Sequence, residues 1–121
     1  MSYVDEPTAQ LRPQSEIETA RAAAAAWMSH ASDPRFEQGA IAAYDWLLGR
    51  RGEAPVSGIV AAPTYRQVVD EEQVADDATY GRRGAPEVSH RFAVGAANAL
   101  MWARGIEGID PPVPLDYTAA G

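Results

Sequence analysis

The amino-acid sequence predicts an all-α fold, in which a duplicated helical hairpin forms a small four-helix bundle. Three observations support this prediction. Capping-box patterns open two segments, a pattern ending in W-x2-G-x2-G-x2-P occurs twice, and 24 of the 121 residues are alanine. Alanine has the highest helix propensity. With only five leucines, a core of this composition depends on close approach of backbones rather than on bulky side chains.

The first hairpin follows an irregular arm, residues 1–14. Its first helix begins at Ser15, because the segment 15–18 reads Ser-Glu-Ile-Glu and forms a capping box, and we expect this helix to end near His30. Asp33-Pro34 opens the second helix, since Asp caps a helix amide and Pro is tolerated in the first turn. Gly49 is a typical C-terminal stop.

A loop with several Gly and Pro residues, 50–63, joins the two hairpins. Within it the segment 59–62, Ile-Val-Ala-Ala, is interpreted as a short strand or a buried tether. The third helix begins after the capping box at Thr64 and runs to about Thr79.

The fourth helix starts between Pro86 and Ser89, runs to Arg104 and stops at Gly105. The single helical domain therefore spans 15–105. The segment 106–121 is rich in proline, and we expect an extended tail that packs through Ile109, Val113 and Tyr117.

The two hairpins share an internal repeat. Asp33–Val56 and Ser89–Pro112 are identical at nine of 24 positions without a gap. The shared Phe, Gly, Ala and Trp residues fall on one face of a helix, and small residues on such a face allow another helix to come close. We therefore expect the second and fourth helices to pack with pseudo-twofold symmetry. The expected repeat core is Phe36, Gly39, Trp46, Phe92, Gly95 and Trp102.

The segment from Ala43 to Gly58 contains a helix ending in W-x-L-G, followed by A-P-V-S-G. It resembles a segment of small uncharacterised helical proteins of actinobacteria and their phages, in which the second motif reads A-P-[LV]-[ST]-G. The resemblance covers 16 to 25 residues. The resemblance implies an actinobacterial or phage source and a helix followed by a loop. It implies no activity for this chain.

Charge and composition exclude several functions. The formal net charge is −7, with 17 acids and no lysine, which argues against binding of nucleic-acid phosphates. The absence of cysteine excludes a disulfide scaffold, a zinc–thiolate site and a cysteine nucleophile. We expect no cofactor, and no catalytic triad or phosphate-binding motif stands out.

The sequence lacks a signal peptide and an apolar run that spans a bilayer, so a cytoplasmic protein is expected.

Histidine offers weak metal candidates. Glu87 and His90 have the E-x-x-H spacing of di-iron bundles, but the repeat supplies no second motif. His30 could join Asp33 and Glu37, but Pro34 begins a new element between them. We therefore expect no metal site and interpret both histidines as capping or surface residues.

Two groups of charged residues are the candidate interaction sites. The third helix carries like charges on one face, which suggest docking of a basic partner or mimicry of nucleic-acid phosphates; an ordinary solvated face is the alternative. These acids are Asp70, Glu71, Glu72, Asp76 and Asp77.

A G-R-R-G motif occurs twice. The guanidinium groups of its arginines can bind an anion or a partner through paired hydrogen bonds, or they simply order their loops. These arginines are Arg50, Arg51, Arg82 and Arg83.

The function expected from these features is that of a non-enzymatic acidic interaction protein, a regulator or assembly component that binds a protein partner or self-associates. A first alternative is a small-molecule-binding or enzymatic domain with a pocket between the hairpins. Its lining would be Trp27, Trp46, Trp102, Tyr44, Arg35 and Arg91. A second alternative is a DNA mimic that inhibits a basic protein.

Overall fold

Four α-helices make up the fold in a computed structural model, which describes residues 10–117. They are α1 (Gln14–Met28), α2 (Arg35–Leu47), α3 (Tyr65–Thr79) and α4 (His90–Ala103). α2 and α4 pack on each other in the centre, α1 packs on α2, and α3 packs on α4. The prediction of a small all-α four-helix bundle is confirmed.

The helix starts follow the predicted caps at Thr64 and Ser89 but not at Asp33 and Ser15. Pro34 rather than Asp33 is the N-cap residue of α2, because Pro34 lies between Asp33 and the first helical residue, although the Asp33 carboxylate accepts the Arg35 amide at 3.3 Å. Thr64 accepts a hydrogen bond from the amide of Gln67 at the start of α3, and Ser89 accepts one from Phe92 at the start of α4. The capping box predicted at Ser15 is wrong. α1 begins one residue before Ser15, because Pro13 occupies the N-cap position and its carbonyl accepts the first helical amides.

The centre of the bundle is a reciprocal contact between α2 and α4. A Cβ atom at Gly39 would overlap the carbonyl oxygen of Phe92, and a Cβ atom at Gly95 would overlap the carbonyl oxygen of Phe36. These four residues are two pairs of repeat equivalents, each separated by 56 positions. The contact is therefore the same from both sides, as the predicted pseudo-twofold packing requires.

Small residues and the two repeat tryptophans form the core as the repeat predicts, whereas the predicted core residues Phe36 and Phe92 are only partly buried. Ala40, Ala96 and both repeat tryptophans, Trp46 and Trp102, are buried. Tyr44 packs edge-on against Trp102 with ring centroids 6.2 Å apart. The alanines let the central helices approach, and the buried tryptophans fill the space beside the contact with large apolar surfaces.

The described parts of the arm and tail cover the bundle. The Arg12 side chain lies over the Trp102 ring at 4.5 Å and donates to its carbonyl oxygen. In the tail Val113 is buried, and Tyr117 packs against Trp27 at 5.0 Å. The tail forms hydrogen-bonded turns rather than the expected extended chain. Residues 1–9 and 118–121 lie outside the described residues.

Candidate functional site

The acids of α3 do not form one exposed face. Glu71 is only 4% exposed, so the expected exposure of this residue is wrong. Glu72 is mostly buried and pairs with Arg104 at 2.5 Å. The hydrogen bond that Arg104 donates to Glu72 is the main cause of the raised pKa of Arg104. Two of the five acids are thus engaged inside the protein.

The other three acids lie near arginine side chains at the surface. Asp70 is 3.7 Å from Arg66, while Arg82 reaches Asp76 at 2.7 Å and Asp77 at 2.8 Å. The hydrogen bond from Arg82 lowers the pKa of Asp77. The positive charge of these arginines therefore offsets much of the acidic charge of α3. A role of the α3 acids in binding a basic partner stays a prediction.

Glu71 anchors the loop that joins α2 and α3. One carboxylate oxygen accepts hydrogen bonds from the amides of Val56 and Ser57, each at 2.7 Å. The other oxygen accepts the Ser57 hydroxyl at 2.7 Å. Hydrogen bonds to a charged acceptor are stronger than neutral ones. A residue predicted to meet solvent instead fixes the loop on the helix.

Two extended segments of this loop pair at one point. Glu53 and Val60 form an isolated antiparallel bridge. Hydrogen bonds flank this pair on both sides, donated by the amides of Ala54 and Ala61 at 2.8 and 3.3 Å. Glu53 and Val60 are therefore a non-hydrogen-bonded pair, whose own amide and carbonyl groups point away from the opposite segment. The outer side of Val60 is an open backbone edge.

The tip of the loop exposes apolar side chains. Ile59 is 58% exposed and Val60 is 78% exposed. Of the two interpretations of 59–62, the buried tether is wrong, and in place of a short strand the structure has an extended segment with one isolated bridge at Val60. No motif in the sequence indicates a binding role for these two residues. The available signal was a β-branched pair in a loop, between Gly58 and Pro63.

The first arginine pair lies beside this tip. A surface cavity of about 600 Å³ separates the end of α2 from the extended segment. Its lining is Gly49, Arg50, Arg51, Gly52, Val60, Ala61, Ala62 and Pro63. The Trp46 indole donates to the Ala61 carbonyl at 2.8 Å and holds the far wall in place. We call Arg50, Arg51, Ile59 and Val60 together the loop surface.

Both arginines of the loop surface keep hydrogen-bonding capacity. Arg50 pairs with Glu18 at 3.3 Å, with both side chains about half exposed, and Arg51 donates through Nε to the Glu53 carbonyl at 2.9 Å. Exposed ion pairs of this kind contribute about 0–1 kcal/mol. A partner carboxylate can therefore take the place of Glu18 or bind the remaining donors.

The second G-R-R-G loop has the same residues but a different environment. Arg82 is held between Asp76 and Asp77 and lies over the Tyr80 ring at 5.0 Å. Arg83 is exposed and forms no ion pair within residues 10–117. The four predicted arginines thus lie in two separate loops, and the first pair lines a cavity together with the exposed Val60.

The histidines and the residues proposed to line a pocket are placed apart. His90 contacts the Thr79 carbonyl through Nδ1 at 2.9 Å. Among the described residues no group of three His, Cys, Asp or Glu side chains could hold a metal ion. Trp46, Trp102 and Tyr44 are buried in the core. Two exposed arginines of the proposed lining, Arg35 and Arg91, pair with Asp33 at the surface.

Comparison with protein-family models, with curated proteins and with solved structures finds no match to this chain. The resemblance to actinobacterial and phage proteins therefore stays a prediction. In the described part of the chain, no helix is both long enough and apolar enough to cross a membrane.

Proposed function

We propose that the protein is a non-enzymatic helical interaction protein, a regulator or assembly component that binds a protein partner through the loop surface. The observation that carries this proposal is the exposure of Ile59 and Val60, since Val60 lines the same surface cavity as the Arg50–Arg51 pair. The proposal differs from the sequence-based expectation in its emphasis, because it relies on the arginine loop rather than on the acids of α3.

The chemistry of the loop surface is typical of a binding patch. Apolar side chains gain about 25 cal/mol for each Å² removed from water, and arginine is enriched at protein interfaces. Glu71 and Trp46 hold the loop from both sides, so that a partner meets an ordered surface. A preorganised surface loses less conformational entropy on binding than a flexible one.

The packing of the bundle centre also favours interaction over ligand binding between the hairpins. Gly39 and Gly95 bring the backbones of α2 and α4 into contact, and the alanines beside them are buried. Backbone contact at this position leaves the two hairpins closed against each other where the alternative function requires a cavity.

A capture experiment with matched variants tests the proposal. The purified protein is used to capture partners from a lysate of the organism that encodes it, with chemical cross-linking to record self-association. Ile59→Asp and Val60→Asp should abolish capture of the wild-type partner. Tyr80→Asp is the control, because Tyr80 is equally exposed but lies in the second arginine loop. Equal capture by all variants, or a monomer that captures nothing, would overturn the proposal.

A further inference from the structure

We propose that the protein binds a small organic monocarboxylate in a surface cavity beside the contact between α2 and α4. The cavity has a volume of about 340 Å³, at the low end of the range for small-molecule sites, roughly 300–1,000 Å³. It shares no residue with the loop surface, so this inference goes beyond the proposed function and is tested separately from it. The lining of the cavity is Arg35, Gln38, Pro55, Val88, Ser89 and Phe92.

The internal repeat indicates where a carboxylate fits in this cavity. Asp33 and Ser89 are repeat equivalents, as are Arg35 and Arg91. The Asp33 carboxylate lies 3.4 Å from the Nε atom of Arg91. The pseudo-twofold relation places Ser89 and Arg35 at the equivalent positions in the other half, where both line the cavity. Because serine has no carboxylate, an external carboxylate can bind beside Arg35 as Asp33 binds beside Arg91.

Arg35 keeps donors for such a ligand although it pairs with Asp33. Its Nε and Nη2 atoms each donate to the Asp33 carboxylate at 3.0 Å. A guanidinium has five N–H donors, and these two bonds leave three, two of them on Nη1, away from the edge that faces Asp33. The Ser89 hydroxyl oxygen accepts from the Phe92 amide at 3.3 Å, and its own hydrogen can donate to a carboxylate oxygen.

Charge and apolar surface together favour a monocarboxylate over inorganic phosphate. Within residues 10–117, Asp33 is the one carboxylate that pairs with Arg35 or Arg91. The two arginines therefore exceed it by one positive charge, which a monocarboxylate balances and a phosphate dianion exceeds. Val88 and Phe92 are partly buried and give the cavity an apolar wall. An organic carboxylate can bury its apolar group against this wall, whereas phosphate cannot.

The test uses benzoate as the probe and amide chemical shifts of the isotope-labelled full chain as the measurement. We expect benzoate to bind with a dissociation constant on the order of 1 mM and to shift the amides of Gln38 and Ser89. Benzamide, which lacks the charge, and acetate, which lacks the ring, should each bind about tenfold more weakly. Equal binding of benzamide, displacement of benzoate by inorganic phosphate at constant ionic strength, or shifts that avoid Gln38 and Ser89 would overturn the proposal.

Two matched pairs of variants locate the site. Ser89→Asp supplies the carboxylate within the chain and should abolish benzoate binding, while Ser89→Asn should retain it; both residues are good N-caps, so α4 keeps its start. Arg35→Gln should weaken benzoate about tenfold. Arg91→Gln removes the same charge outside the cavity and should change the affinity by less than about threefold. Equal effects within either pair would overturn the site and leave partner capture through the loop surface unaffected.

Discussion

At the scale of single residues, Glu71 illustrates how tertiary contact changes the role that a sequence pattern suggests. It stands among four other acids on α3, and its charge suggests a solvent-facing role, although its spacing from Val68 and Ala75 places it on the buried face of the helix. The loop at Val56 and Ser57 brings two amides and a hydroxyl to it instead. These contacts are 14 and 15 residues distant in sequence, and no local pattern identifies them.

Replacing Glu71 tests its role as the loop anchor. Glu71→Gln removes the negative charge, and if its carbonyl oxygen keeps the two backbone amides, its amide group faces the Ser57 hydroxyl, which then has to accept instead of donate. We expect a loss of unfolding free energy of about 1–3 kcal/mol, measured by urea denaturation. Faster hydrogen exchange at the amides of Val56 and Ser57 should accompany it. Asp70→Asn, at an exposed neighbour, is the control, and equal effects of the two substitutions would contradict the anchor.

The pKa of Asp33 tests the surface pairing between the repeats. The side chain of Arg35 donates to Asp33, as does the Arg35 amide, and together they hold the pKa of Asp33 below the ordinary value of 3.8. Carboxylate titration by NMR should show this depression. Arg35→Gln should return the pKa toward 3.8, while Arg91→Gln should act less because Arg91 contributes only charge. No change in Arg35→Gln would contradict the assigned cause.

The sign of the effect on stability follows from this lowered pKa. Near pH 3.8 the unfolded chain binds more protons at Asp33 than the native protein does. The native state is therefore favoured at higher pH, and this contribution is lost as the pH falls through the lowered pKa. Asp33 is exposed enough that solvent screens the interaction, so the NMR titration is a more sensitive measurement than acid denaturation.

At the scale of elements, the sequence predicts helices well where local signals agree. α3 begins after Thr64 and ends at Thr79 as expected, because its capping residue binds the helix amide as predicted. The start of α1 was missed because Pro13 competes with the capping box at Ser15. The loop surface was predicted only in part. The G-R-R-G motif marks Arg50 and Arg51, but the exposure of Ile59 depends on anchors distant in sequence.

Helix propensity and packing predict opposite effects when alanine replaces glycine at the contact between α2 and α4. Ala normally stabilises a helix interior by about 1 kcal/mol relative to Gly. A Cβ at Gly39 or Gly95 overlaps a backbone carbonyl that cannot turn away, so packing should dominate. We expect Gly39→Ala and Gly95→Ala each to lower the unfolding free energy by about 2 kcal/mol or more, by similar amounts in chemical denaturation.

The control for this pair lies in the loop. A Cβ at Gly52 would meet no atom within 4 Å, and the residue has no positive φ. Gly52→Ala should therefore leave the unfolding free energy nearly unchanged. If Gly39→Ala and Gly95→Ala were as stable as the wild type, the close approach of the two central helices would be wrong.

At the scale of the whole molecule, the arrangement of the helices predicts an order of opening. α2 and α4 have partners on more than one side, whereas the principal helix contact of α1 is with α2 and that of α3 is with α4. Few helix contacts hold an outer helix, so it can open while the central pair remains closed. The short side chains of α1, which include Ala20, Ala23 and Ala24 at its buried face, strengthen this expectation.

Native-state hydrogen exchange measures this order. Amides around Ala40 in α2 and Ala96 in α4 should exchange only through global unfolding, with a strong dependence on denaturant. Amides of α1 should exchange through a smaller opening, with a lower free energy and a weaker dependence. Gly39→Ala should lower the protection of both central helices together, because one reciprocal contact serves both. Equal free energies and denaturant slopes for all four helices would contradict this order, since the bundle would then open as one unit.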